Sequence, residues 1–198
     1  ATGNGGGIHI LPGGTTIVNG SIVSANTARG GGGIYNRGTT NVSSGAVSDN
    51  EATGGGGGGI YNDEGTLTVS GSTVSGNSAV SGGGIYNYEG LTTVMDSRIL
   101  NNTVAFGRGG GVLSRATLID ATNVTDSCIV GNSDTALYND EAAVQFAVGN
   151  WWGVASGPSG SGPGEGDSVS TNVDYSDYLT ERILGCGYYY IYLPLVLR

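Results

Sequence analysis

Asp63–Glu64 and Asp140–Glu141 are the two acid pairs on which this sequence could carry acid–base chemistry. Two carboxylates in one site can divide the roles of proton donor and proton acceptor, provided that they converge on the same substrate. Acidic turns of this kind could also bind calcium weakly, although no GGxGxD array accompanies them. His9 is the single histidine, and no Ser or Cys is spaced from it as a nucleophile would be from its base. The cations are all arginine, at positions 29, 37, 98, 108, 115, 182 and 198. They are scattered rather than grouped with the acids, so Arg29, Arg37 and Arg108 are expected as solvated corner residues.

The elements that would position these groups are repeats. GGGIHI at 5–10 recurs as GGGIYN at 31–36, 57–62 and 82–87, as GGGVLS at 109–114, and in weakened form as DTALYN at 134–139. The starting positions differ by 26, 26, 25, 27 and 25 residues, a period near 26. A second pattern runs in phase: Val18, Val42, Val69, Val94 and Val124 are followed by Val23, Val47, Val74, Ile99 and Ile129, and then by Asn26, Asn50, Asn77, Asn102 and Asn132. Each unit holds three short segments that alternate apolar with small polar residues, the period of a half-buried strand. Three short strands cannot bury a core alone, but stacked units can pair each strand in parallel with its equivalent, about 4.8 Å away. The sequence therefore predicts an all-β fold, a single-stranded parallel β-helix (β-solenoid) of about six coils. Residues 1–149 form the repeats and 150–198 a C-terminal cap, a Gly/Pro/Ser-rich loop and an apolar strand-like tail.

This architecture limits the chemistry. The two acid pairs share one turn but lie three coils apart, on the order of 14 Å at the strand spacing, too far for joint catalysis. Ile34 and Tyr35 alternate, so an inward isoleucine column implies an outward ladder of Tyr35, Tyr61, Tyr86 and Tyr138, with His9 and Leu113 in the same register. Such a ladder could shield its own sheet, contact another protein or stack on a glycan. The Asn26–Asn132 column is expected at a corner, its amides bonding along the stack.

GGGIYN followed by V-x-x-S-x-V-x-x-N resembles the right-handed parallel β-helix repeats of secreted bacterial surface proteins, including the polymorphic outer-membrane-protein type. The segment Asn150–Tyr178 is similar to the end-of-helix element of pectate-lyase-like β-helix proteins, and IYLPLVLR to the tails of secreted proteins from filamentous green bacteria. The resemblance implies this fold and a place at the cell surface. It leaves activity open, because lyases, hydrolases, adhesins and inert spacers share the scaffold. Polysaccharide lyases of this kind work with calcium held by clustered acids and an Arg or Lys base, which the scattered arginines here do not match.

Composition narrows the setting. The net charge of −9 disfavours nucleic acid and anionic membrane surfaces as partners, and the apolar run Tyr188–Leu197 is too short to span a bilayer as a helix. Low charge and abundant Ser, Thr, Asn and Gly point to an extracellular protein, with Ala1 reading either as the residue after a removed leader or as a boundary. Cys128 and Cys186 would then form a disulfide or remain as two buried thiols. The first coil has no capping segment, and the tail is rich in β-formers: Tyr188, Tyr189, Tyr190, Ile191, Tyr192, Leu193, Leu195, Val196 and Leu197. The expectation is a structural or adhesive solenoid without cofactor or enzymatic activity. Its copies would associate head to tail, unless the tail folds back on its own solenoid or serves as a sorting signal. The competing expectation is a carbohydrate-active enzyme or glycan-binding module.

Overall fold

A computed structural model of the protein describes residues 3–183 and Cys186. The described chain winds as a parallel β-solenoid with no helix among those residues. The first sheet takes the IYN segments: Ile8–Ile10, Ile34–Asn36, Ile60–Asp63, Ile85–Tyr88, Val112–Arg115 and Leu137–Asn139, in that order. The second takes Thr15–Asn19, Thr39–Ser43, Thr66–Ser70, Leu91–Met95 and Thr122–Thr125, and the third Ile22–Ser24, Ala46–Ser48, Thr73–Ser75, Arg98–Leu100 and Cys128–Val130. The register is that of the motifs: Ile34 pairs with Ile60 and Ile60 with Ile85, as Val42 does with Val69 and Val47 with Val74. These columns fill the tube, and Ile34, Ile60, Ile85, Val69, Val74 and Ile99 are fully buried.

The three-strand unit holds along the repeats, and the first four glycine-rich returns add a fourth short sheet: Thr27–Ala28, Glu51–Gly56, Ser78–Ser81 and Thr103–Val104. Each return must turn sharply before re-entering the first sheet. Gly57 does so at φ 69°, and a Cβ there would stand 2.5 Å from the carbonyl oxygen of Ile60. Only glycine meets both conditions without strain.

The polar interior is ordered by hydrogen bonds between coils. Asn26, Asn50, Asn77, Asn102 and Asn132 each donate from Nδ2 to the next member of the series, ending on Asp167. A second ladder, Asn36–Asn62–Asn87, runs inside the corner after the first sheet and is fully buried. Ser72, Ser97 and Ser127 form a third, each hydroxyl accepting from the backbone of the coil before it.

Winding continues beyond residue 149. Gly166–Val169 joins the first sheet and Val173–Asp174 the second, giving the second sheet seven strands, close to the six coils read from the motifs. Trp152 is buried in the end of the tube, with Tyr175 and Tyr178 packed beside it. The chain then turns back along the outside of the third sheet, where Leu179, Ile183 and Cys186 cover Leu100, Cys128, Val130 and Trp151. Of the two readings of the cysteines, the bridge is the one formed, between Cys128 and Cys186. The tail residues Tyr188 to Leu197 lie outside the described residues.

Candidate functional site

The outward ladder lies where alternation places it, on the outside of the first sheet, but it is only partly open to solvent: His9 is exposed and Tyr61 and Tyr138 are half-buried. Tyr35 and Tyr86 are each only 8% exposed, because the glycine-rich returns roof them. Gly56 shows why the roof must be glycine: a Cβ there would overlap the Tyr86 ring. The rings follow at centroid distances of 5.0 Å from His9 to Tyr35, 5.1 Å to Tyr61 and 4.8 Å to Tyr86, the last pair stacked at 10°. Burial pushes the Tyr35 phenol up to about 12, helped by its hydrogen bond to Asp63, and raises Tyr61 and Tyr86 as well. The rings contact one another along the stack, which is compatible with each of the three roles open to the ladder.

The acid pairs are separated as the coil count requires, three strands apart in the first sheet. They are not, however, remote from the arginines. The position after each motif Asn, or after Ser114 in the same register, carries Arg37, Asp63, Tyr88, Arg115 and Asp140 in consecutive coils, so a cation stands one coil before each aspartate. Arg37 pairs with Asp63 at 3.3 Å, and Arg115 with Asp140 at 2.8 Å. This corrects the reading of Arg37 as a lone solvated corner and of the arginines as unrelated to the acids. Asp63 also accepts from the Tyr35 hydroxyl at 2.5 Å. Glu64 takes the corner itself, at φ 58°. Among the described residues, no group of three or more His, Cys, Asp or Glu side chains is placed to hold a metal ion.

Past Tyr86 a cleft of about 470 Å³ is floored by Tyr86, Leu113 and Tyr138 and edged by Phe106, Arg108, Arg115 and Asp140. Phe106 is 95% exposed, and the Arg108 guanidinium sits 4.6 Å from the Tyr138 ring centroid. Residues 1–150 match the family model described as right handed beta helix region. The chain belongs to the right-handed β-helix family. No curated protein and no solved structure is significantly similar to it.

Within this right-handed β-helix the tyrosine ladder follows from the alternation of the repeats, whereas the cleft has no counterpart in the periodic pattern. Phe106 falls in a return whose neighbours are Ala105 and Gly107, where no periodicity marks it. The Asn36–Asn62–Asn87 ladder had a signal: Asn lies two residues after the inward isoleucine, and therefore points inward too. No helix among the described residues is long and apolar enough to cross a membrane.

Proposed function

We propose that this right-handed β-helix is a structural or adhesive element of the cell exterior that associates end to end through its first coil. The observation that carries this reading is an apolar rim. Ile17 and Ile22 are 70% and 72% exposed on the outer faces of the first coil. The same registers hold Asn41, Thr68 and Thr93, and Ala46, Thr73 and Arg98, in the coils that follow. Leu11, 64% exposed, extends the rim. Apolar residues where later coils are mostly polar fit a surface covered by another chain. The far end of the tube is closed by Trp152, Tyr175 and Tyr178, which favours contact through the tail 188–197 over stacking of bare coils. The disulfide fits an oxidising exterior.

A carbohydrate-active enzyme is the weaker reading, because Asp63 and Asp140 are distant from each other and each is held by an arginine. The test is size-exclusion chromatography with light scattering and negative-stain imaging of the full chain, the Ile17→Asn/Ile22→Thr variant and a chain truncated at Tyr188. Oligomers or filaments that revert to monomers in both variants support the proposal. A monomeric full chain at all concentrations, or lyase activity on acidic polysaccharides, overturns it.

A further inference from the structure

The tail sequence carries half a unit of the repeat. In each unit an apolar β-branched residue of the second strand is followed five positions later by one of the third: Val18 and Val23, Val42 and Val47, Val69 and Val74, Val94 and Ile99, Val124 and Ile129. Ile191 and Val196 keep that spacing, and they are the only β-branched residues among 187–198. Aligned with Val18 and Val23, they set 188–192 against the five-residue strand Thr15–Asn19, 193–194 against the corner 20–21, and 195–197 against Ile22–Ser24. Pro194 then falls in the corner, where no ladder hydrogen bond needs its missing N–H.

The first coil offers the matching surface. Thr15–Asn19 and Ile22–Ser24 are the end strands of their sheets among the described residues. A groove of about 480 Å³ runs beside both, with Ile8, Val18 and Val23 on its inner side and Ile17 and Ile22 on its outer side. A strand added here must be apolar on both faces, inward over Val18 and Val23 and outward beside Ile17 and Ile22. The tail meets that demand, with Ile191 and Val196 in the inward register and Tyr190 and Leu195 in the outward one.

The tether decides whose first coil is taken. Cys186 is bonded to Cys128, in the fifth coil, with their Cα atoms 5.5 Å apart. Gly187 alone separates Cys186 from Tyr188, so these two lie within about 7 Å of each other. A strand laid on the first coil of the same molecule would stand five strand spacings from Cys128, about 24 Å along the tube. The tether is too short for that, and another copy must supply the coil.

We propose that residues 188–197 of one copy add to the first coil of another as a second and a third strand, with Ile191 over Val18 and Val196 over Val23. This names the partner segment for the end-to-end reading of the function and rests on it. Because Cys186 is fixed on the outer side of the third sheet, the joined tubes are offset rather than coaxial.

Cross-linking and light scattering on the full chain test this. Chains carrying Ile17→Cys are mixed with chains carrying Tyr190→Cys and oxidised; strands in register hold the two positions about 4.8 Å apart, within the span of a disulfide. A covalent dimer is expected from that mixture and from Ile22→Cys with Leu195→Cys. None is expected from Ile17→Cys with Ile191→Cys, which faces inward. Ile191→Asp/Val196→Asp, which would bury two carboxylates, should weaken assembly roughly a hundredfold or more, while circular dichroism shows an unchanged solenoid. A full chain that assembles but ignores the two aspartates, or cross-links equally well at Ile191→Cys, overturns this proposal and leaves end-to-end association standing. So does a chain carrying both Ile17→Cys and Tyr190→Cys that closes the bridge within a monomer while the wild type assembles. A full chain that is monomeric at every concentration overturns both.

Discussion

Asn132 donates from Nδ2 to the carboxylate of Asp167 at 3.1 Å, and on that bond a chain of five asparagine side chains ends. The backbone N–H groups of Gly131 and Asn132 donate to the same carboxylate at 3.0 and 2.9 Å. Amides aligned in one direction polarise one another, and a carboxylate is the strongest acceptor available to close the series.

Burial nevertheless raises the pKa of Asp167 above 3.8, with the three donors offsetting part of the rise. A carboxyl that holds its proton more firmly folded than unfolded favours the fold while protonated. That contribution is lost as pH rises from the ordinary carboxylate range through the folded value. Asp167→Asn keeps an acceptor and removes the titration. The difference in urea midpoint between wild type and Asp167→Asn should therefore move against the wild type as pH climbs from about 3.5 towards 7. A difference independent of pH refutes the shift. Asp167→Ala, which strands three donors, should cost about 1–3 kcal/mol at neutral pH.

Position along the ladder should set the cost of breaking it. Asn77 accepts from the backbone and the side chain of Asn50, and donates to Asn102 and to the Val47 carbonyl, all out of solvent. Asn26 sits at the open end, part-exposed, with no preceding asparagine. Asn77→Ala should lose about 3 kcal/mol or more by leaving buried groups unpaired, against about 1 kcal/mol for Asn26→Ala. Equal losses in chemical denaturation would mean that these amides act independently.

The legibility of the sequence followed the same physics. Inward columns were readable because apolar and asparagine residues recur near every 26 positions, and the cross-section repeats with them. The outward tyrosines were readable as a direction but not as a burial, because their cover comes from glycines, whose lack of a side chain hides what they approach. Gly56 against Tyr86 is the clearest instance. The pairs Arg37–Asp63 and Arg115–Asp140 join residues one coil apart, so they could have been found by aligning the seventh residue of each GGGIYN-type unit. The cleft was not legible, since it arises from a return that no periodic pattern describes.

The bond from Tyr35 to Asp63 should be visible in the alkaline limb of stability. The phenol can donate only while it keeps its proton, and its folded pKa is raised from 10.0 to about 12. A raised folded value means that the stabilisation is fully present below pH 10 and is lost as pH passes through about 12. Tyr35→Phe should cost about 1–2 kcal/mol at neutral pH, Asp63 remaining held by Arg37. The gap to wild type should then shrink over that interval, followed by denaturant midpoints at stepped pH. A constant gap would assign the loss to packing rather than to the hydrogen bond.

Cys128–Cys186 should separate the stability of the outer strap from that of the tube. The bridge closes 58 residues of sequence, and a loop of that size corresponds to about 4 kcal/mol in the chain-entropy account. In the folded protein it pins Leu179 and Ile183 over Leu100, Val130 and Trp151, outside the core columns. Cys186→Ser should therefore lower the midpoint of unfolding while leaving the far-ultraviolet spectrum of the solenoid intact. Trp151 is the tryptophan that the strap covers, whereas Trp152 is sealed in the tube, so emission should shift to the red by part of the full unfolding change. Cys128→Ser and the double variant should match Cys186→Ser, since all three remove one bond. Unchanged emission in the single variants would mean that the apolar contacts hold the strap without the disulfide.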